Sequence, residues 1–109
     1  MSELLQDRVF AALADSRRRG ILERLAADGE KTATELAQEL PITRQGVTKH
    51  LKILVDAELV TMRQEGRDKR YALTPQALVE TVKWMETITA VWDQRLQNLY
   101  DYLVPEDSE

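Results

Sequence analysis

The sequence predicts a mainly α-helical fold with one small β-hairpin: a winged helix-turn-helix, in the order of four helices, two strands and a long final helix. Three observations carry this expectation. Within residues 33–60, two short helical patterns meet at a tight turn that contains Pro41. The second pattern carries its polar side chains at the spacing of a helix that reads base edges. A basic hairpin follows directly at residues 63–71. A chain of 109 residues with 43% apolar composition is one domain, 1–109, with a modest core. Within it the expected parts are a helix-turn-helix at 32–57, a wing at 59–73, and flanking dimerisation helices at 3–14 and 75–103.

Apolar residues recur at Leu5, Val9 and Leu13, with Ala11, Ala12 and Ala14 between them, which makes 4–13 a first helix. Asp15 or Ser16 can cap a second helix over 17–27, with Ile21, Leu22 and Leu25 facing inward and Asp28-Gly29 ending it. Arg17, Arg18 and Arg19 read in two ways: as solvated helix surface, or as a patch from which one arginine touches phosphate or an acidic partner. Thr32 is the expected cap of the third helix, with Glu35 three residues on completing a capping box and Thr34 as the competing cap. That helix runs to Glu39 or Leu40 and buries Leu36, while Ala33 and Ala37 allow close approach of a neighbour. Pro41 cannot continue the hydrogen-bond ladder, and it pushes Leu40 out of the helical region.

Thr43 then caps the candidate recognition helix, 44–56, whose first-turn amides are left for the cap oxygen or for a phosphate. Val47, Leu51, Leu54 and Val55 face the core, and Arg44, Gln45, Thr48, Lys49 and Lys52 occupy the remaining surface. Gly46 costs about 1 kcal/mol relative to alanine inside a helix. It is either a tolerated weakness or the mark of a close approach of backbone to DNA or to the preceding helix. A strand over 59–64, a turn at Glu65-Gly66-Arg67-Asp68 and a return strand over 69–73 make the wing, with Leu59, Met62 and Tyr71 expected against the core. A plain solvated hairpin is the alternative to a wing.

Thr74 and Pro75 suit the N-cap and first position of the last helix, which runs to Tyr102 or Leu103 before Pro105. About 28 residues make a helix about 42 Å long. Leu78, Val82, Met85, Trp92, Leu96, Leu99 and Leu103, with Thr89 in the gap, alternate in steps of four and three, which is a heptad seam. Ile88, Val91, Tyr100 and Tyr102 widen it. A single seam on a long helix calls for the same helix of a second chain. The expected homodimer interface is Leu5, Val9, Met85, Ile88, Trp92, Leu96, Leu99 and Leu103. Trp84 and Trp92 are interface anchors, walls of a small effector pocket, or covers of the protomer core. Residues 106–109 are expected to fray.

The net charge of -4 looks wrong for a nucleic-acid binder, but its distribution matters more than its sum. Residues 31–73 carry eight Lys or Arg against six acids, whereas 74–109 carry two against seven. Between Thr43 and Leu54 there are Arg44, Lys49 and Lys52 and no acid. Gln45 suits adenine, Arg44 a guanine or a phosphate, and Thr48 a thymine methyl or a phosphate. Lys49 and Lys52 suit backbone positioning, and Arg63, Arg67, Lys69 and Arg70 serve the wing. His50 either hydrogen-bonds within the fold or touches phosphate; no second histidine exists for a metal site. A symmetric dimer implies double-stranded DNA with an imperfect palindrome and half-sites about 34 Å apart. Repression by occlusion follows for so small a chain, with activation left open.

Other function classes find little support. Without cysteine there are no disulfides, thiolate metal ligands or thiol switches. No Gly-rich phosphate loop and no nucleophile-histidine-acid set is present, so neither an enzyme nor a cofactor is expected. No run of 18 apolar residues occurs, and the opening MSELLQDRVF contains acids. Neither a membrane span nor a secretory signal is expected, and a cytoplasmic location follows.

FAALADSRRRGILERLA, ELAQELPITRQGVTKHLKILVDAELV and MRQEGRDKRYALT together resemble the ArsR/SmtB family of bacterial winged-helix repressors, over about Val9 to Thr74. The resemblance implies a dimer with the first and last helices at the interface. The family's cysteine-valine-cysteine metal site would fall on Thr32-Ala33-Thr34, which cannot bind soft metals. Its other common site uses aspartate and histidine on the last helix, which here holds no histidine. WMETITAVWDQRLQNLYDYL resembles a metal-free branch often encoded beside START-like (Aha1-domain) proteins; Trp84, Trp92, Asp93, Arg95, Leu96, Leu99 and Leu103 fit its pattern. Asp93 or Arg95 then makes an interchain ion pair or is ordinary surface charge. The implied function is a metal-independent repressor whose effector, a small hydrophobic compound, a partner protein or none, is unspecified. Two competing readings remain: a winged-helix protein-interaction module that does not bind DNA specifically, and a hard-cation sensor using carboxylates such as Glu86 and Asp93.

Overall fold

The computed structural model describes residues 2–104, and the expectation for 106–109 lies outside them. Helices α1 (Glu3–Leu13) and α2 (Ser16–Asp28) lead into a short strand β1 (Lys31–Thr32) and then α3 (Ala33–Glu39) and α4 (Arg44–Asp56). The hairpin β2 (Val60–Glu65) and β3 (Asp68–Leu73) follows, and α5 (Gln76–Leu103) ends the described chain. The expected two-stranded hairpin is a three-stranded sheet in the order β1-β3-β2. Lys31 and Thr32 pair antiparallel with Tyr71 and Arg70 on the otherwise open edge of β3.

The caps explain most of the boundaries. Asp15 accepts from the Arg17 amide at 2.8 Å, Thr32 and Glu35 form the reciprocal capping box, and the Thr43 hydroxyl accepts from the Gly46 amide at 3.1 Å. Thr74 does not cap α5, contrary to expectation. Its amide donates instead to the Leu59 carbonyl at 2.9 Å, which holds it in the sheet and leaves Pro75 as a cap without a side-chain bond. At the end of α4, the Glu58 amide donates to Val55 and the Leu59 amide to Leu54, both within 3.0 Å. That Schellman arrangement puts Glu58 at φ 58°, where glycine is the usual occupant.

Val9, Ala12, Ile21, Leu22, Leu25, Leu36, Val47, Leu51, Leu54, Leu59, Val60 and Tyr71 form the core. Two expectations need correction and a third divides. Met62 is 46% exposed although its cross-strand partner Tyr71 is buried, because Met62 lies on the outer strand β2 and Tyr71 on the central strand β3. Val9 is fully buried within the protomer and has no surface to offer a dimer interface. The arginine triplet divides: Arg17 and Arg19 lie on the exposed helix surface, as one of the two readings held, whereas Arg18 is turned inward and, with Arg19, closes the end of α1. Arg18 donates to Ala12 and Ala11 carbonyls at 2.8 and 3.0 Å, and Arg19 to the Leu13 carbonyl at 2.7 Å. Arg17 folds onto Asp15.

The root of α5 packs on the protomer through Ala77 and Thr81, small residues that allow close approach. From Val82 onward every described residue of α5 is exposed, and Met85, Ile88, Trp92, Leu96, Leu99 and Leu103 lie bare along it. Trp84 makes an edge contact with Phe10 of α1, with ring centroids 5.4 Å apart, so it braces the two flanking helices within one protomer.

Candidate nucleic-acid interface

At about 100° per residue, α4 turns Val47, Leu51 and Leu54 inward and leaves Gln45, Lys49 and Lys52 on the outward ridge. Arg44 and Thr48 lie on the flank nearer the wing. The Thr48 hydroxyl donates to the Arg44 carbonyl at 3.0 Å, which leaves its methyl and lone pairs outward. Gly46 is explained inside the chain: a Cβ there would lie 2.9 Å from Ile42 Cγ2 and 3.2 Å from Thr43 Oγ1. The close approach is to the turn that caps the helix.

A groove of about 580 Å³ runs between α4, the start of α3 and the wing. It brings Arg44 and Thr48 together with Arg67, Lys69 and Arg70. A shallower hollow of about 540 Å³ is lined by Arg44, Gln45, Thr48 and Lys49 alone. The hairpin turns tightly: Glu65 pairs with Asp68, and Gly66 has a φ of 61°, the type II′ pattern for a two-residue connection. Arg67 and Lys69 at its tip make no ion pair among the described residues, and the same holds for Arg44, Lys49 and Lys52.

His50 stands apart from this group, on the flank facing α2. It is half-buried, and its Nδ1 lies 3.3 Å from an Arg18 guanidinium nitrogen. Burial pushes the imidazole below its ordinary value, against a smaller opposing pull from Asp15. Of the two open readings, this is the bond within the fold.

Sequence reasoning missed the carboxylates of the wing. Arg63 donates to Glu30 at 2.6 and 3.2 Å and lies 2.7 Å from Glu65. Glu65 is 3.3 Å from Arg70 Nε, and Arg70 is 3.9 Å from Glu35. The hydrogen bonds from Arg63 hold Glu30 below the usual carboxylate range and raise Arg63 itself. Glu35 is also lowered, chiefly by the Thr32 backbone amide. The signal in the sequence was the two-residue turn, which sets Arg63 opposite Arg70 on one face.

Among the described residues, no group of three or more His, Cys, Asp or Glu side chains is placed to hold a metal. Among the same residues, no helix is long and apolar enough to cross a membrane.

A helix-turn-helix domain model matches residues 13–63. The HTH-type transcriptional regulator Rv2034 of Mycobacterium tuberculosis is 47% identical over 72 residues, 66% of this chain and 66% of that protein. This chain thus spans about two thirds of that relative's length. The transcriptional repressor SdpR of Bacillus subtilis is 34% identical over 77 residues, 71% of this chain and 84% of that protein. Among solved structures, an ArsR-like transcriptional regulator from Rhodococcus sp. RHA1 superposes with a TM-score of 0.83 at 36% identity, covering 92% of this chain and 91% of that one. A homodimeric winged helix-turn-helix DNA-binding domain from Mycobacterium bovis, described as a possible ArsR-family regulator, is 28% identical with a TM-score of 0.61, covering 90% and 93%.

Proposed function

We propose a specific role for this chain, which belongs to the ArsR family of winged helix-turn-helix transcriptional regulators: it is a homodimeric, sequence-specific DNA-binding repressor that acts without a metal ligand. The observation that carries the reading is the groove that gathers Arg44 and Thr48 of α4 with Arg67, Lys69 and Arg70 of the wing. Beside it lies the outward ridge of Gln45, Lys49 and Lys52. Side chains on the ridge suit a major groove, while the groove beside the wing suits a sugar-phosphate backbone. Thr43 presents the start of α4, His50 supports the frame, and Arg63 stands on the wing paired with carboxylates.

The bare seam on α5 supports the homodimer. Six apolar or aromatic seam positions exposed on one helix favour association, because their burial contributes about 25 cal/mol per Å². A symmetric pair of α4 helices then fits an imperfect palindrome, and a protein bound there excludes polymerase. Metal independence is supported by the third helix, whose Thr32 hydroxyl is engaged in its capping box. It is supported too by the likeness of the last helix to the metal-free branch.

The test is binding to the chain's own upstream fragment and to an unrelated fragment of equal length at about 0.15 M salt. About 1000-fold or greater preference for the upstream fragment is expected. Gln45→Ala should relax base preference, whereas Lys52→Ala should weaken both fragments by a similar factor. Equal, weak binding to both fragments would overturn the reading and favour a protein-interaction module.

A further inference from the structure

We infer that the wing carries its own anion competitor, a ladder of carboxylates that holds two arginines back from loosely bound DNA, with Glu65 as the residue that sets specific over nonspecific affinity. The inference rests on the DNA-binding reading above and deepens it.

The ladder runs Glu30, Arg63, Glu65, Arg70, Glu35 across the face of the sheet. Its members come from the loop before β1, from β2, from β3 and from α3. Three carboxylates therefore enclose two guanidinium groups. Glu65 is the central member and touches both arginines, at 2.7 and 3.3 Å. Two ladder members, Arg70 and Glu35, also line the groove shared with Arg44 and Thr48. A phosphate entering that groove meets Arg70 already partnered, with a carboxylate beside it.

The wing cations thus fall into two classes. Arg67 and Lys69 at the tip, like Arg44, Lys49 and Lys52 on α4, engage phosphate at no internal cost. Arg63 and Arg70 engage it only by exchanging carboxylate for phosphate. That exchange is favourable where the duplex is held in register and the phosphate sits in the guanidinium plane, as at a correct site. On unrelated DNA the geometry is loose, and the carboxylates win. The exchange also leaves a bare carboxylate that regains a counterion, so these two arginines add little to the release of counterions that makes binding salt-dependent.

The experiment uses the full chain with Glu65→Gln, which keeps the side chain's length and lies on an exposed position. Affinity is measured for the upstream fragment and for unrelated DNA between about 0.05 and 0.3 M salt. Unrelated DNA should bind about three- to tenfold tighter at 0.15 M, with a log-log salt slope steeper by about one. The upstream fragment should gain less, so the ratio between the two falls. Two further variants separate the ladder from bulk charge. Glu86→Gln on α5 removes one carboxylate outside the ladder and should leave unrelated DNA unchanged. Arg70→Gln placed on Glu65→Gln should remove most of the gain, because Arg63 stays held by both oxygens of Glu30. An unchanged or weaker affinity in Glu65→Gln overturns the inference, as does an equal gain in Glu86→Gln or a gain that survives loss of Arg70 undiminished. Wild-type binding to the upstream fragment with no Glu65 effect refutes the ladder alone, whereas failure of the wild type and every variant to bind refutes the DNA-binding reading with it.

Discussion

Replacing Arg18 by methionine tests how the frame behind the recognition helix is held. Its Nε donates to the Ala12 carbonyl at 2.8 Å, its Nη2 to Ala11 at 3.0 Å, and its Nη1 lies 3.3 Å from His50 Nδ1. A carboxylate oxygen of Asp15 is 3.6 Å away. The side chain is only 14% exposed, so it ties α1, α2 and α4 together largely out of water. Methionine keeps the stem and removes the fork. A hydrogen bond to a charged donor contributes about 1.5–3 kcal/mol when shielded. The bond to Ala12 is part-buried and takes that value; the bond to Ala11 is exposed, and water replaces most of it. The loss is then about 2–3 kcal/mol, and about 4–8 °C of melting temperature goes with each kcal/mol in a domain of this size. Arg18→Met should therefore melt about 10–20 °C below wild type, followed by circular dichroism at one fixed protein concentration, since association shifts the midpoint. Arg18→Lys should recover little, because an ammonium cannot span two carbonyls and the imidazole. The salt slope of DNA binding should not change, as all three guanidinium nitrogens of Arg18 face partners within the fold. A variant that melts within about 3 °C of wild type, or that melts normally but loses about one unit of salt slope, would show that the arginine serves phosphate instead.

Three more predictions follow from single features of the fold. Glu58→Gly relieves a left-handed residue at φ 58° and should raise the urea midpoint by about 0.5–1 kcal/mol of stability; a lowered midpoint contradicts the strain argument. His50 is held below its unfolded value near 6.5 by burial, so the unfolded chain binds its proton first as pH falls. The stability from its neutral form is complete above about pH 6.5, declines as pH drops toward the lower folded value, and levels off beneath it. His50→Gln should flatten the melting profile between pH 7.5 and 5.5, and a variant as steep as wild type would assign the slope to other groups. On α5, Leu96→Glu with Leu99→Glu puts charge into the exposed seam and should convert a dimer to a folded monomer in sedimentation, with unaltered helical signal. A dimer that persists would place the interface elsewhere.

Much of the frame was legible because local chemistry decides it. Thr32 with Glu35, Thr43 and Pro41 mark three helix ends through bonds spanning three residues or fewer, and the structure keeps all three. Long-range bonds were not legible. Strand β1 is two residues long, too short for any alternation, and exists because β3 leaves an edge some 40 residues along the chain. Arg18 reaches back six and seven residues across a helix junction, which periodicity cannot reveal. The ladder needs Glu30 beside Arg63, 33 residues apart, so only half of it followed from the turn at Gly66. At the root of α5, shape outranked hydropathy: Ala77 and Thr81 bury, while the larger Val82 stays outside. Val9 failed as an interface residue for a related reason. One turn of α1 points at the body and its neighbours do not, and spacing alone cannot say which apolar residue meets which surface.

Internal pairing resolves the conflict between a net charge of -4 and attraction to phosphate. Composition counts every cation equally, but Arg17, Arg18, Lys31, Arg63 and Arg70 are engaged with carboxylates of the same chain. Arg44, Lys49, Lys52, Arg67 and Lys69 make no ion pair among the described residues, and they gather on α4 and the wing tip. Two of the acids lie far along α5. Asp93 and Asp101 lie about 18 and 30 Å beyond Thr81 by helical rise, where a screening length of about 8 Å at physiological salt removes most of their influence on that face. For the proposed dimer, these five cations per protomer set the expected sequence-independent part of binding: at about 0.9 counterion each, a salt slope of no more than about 9. On the proposed reading, the rest of the affinity falls to uncharged contacts such as that of Gln45, which is the condition under which an acidic protein discriminates its site from bulk DNA.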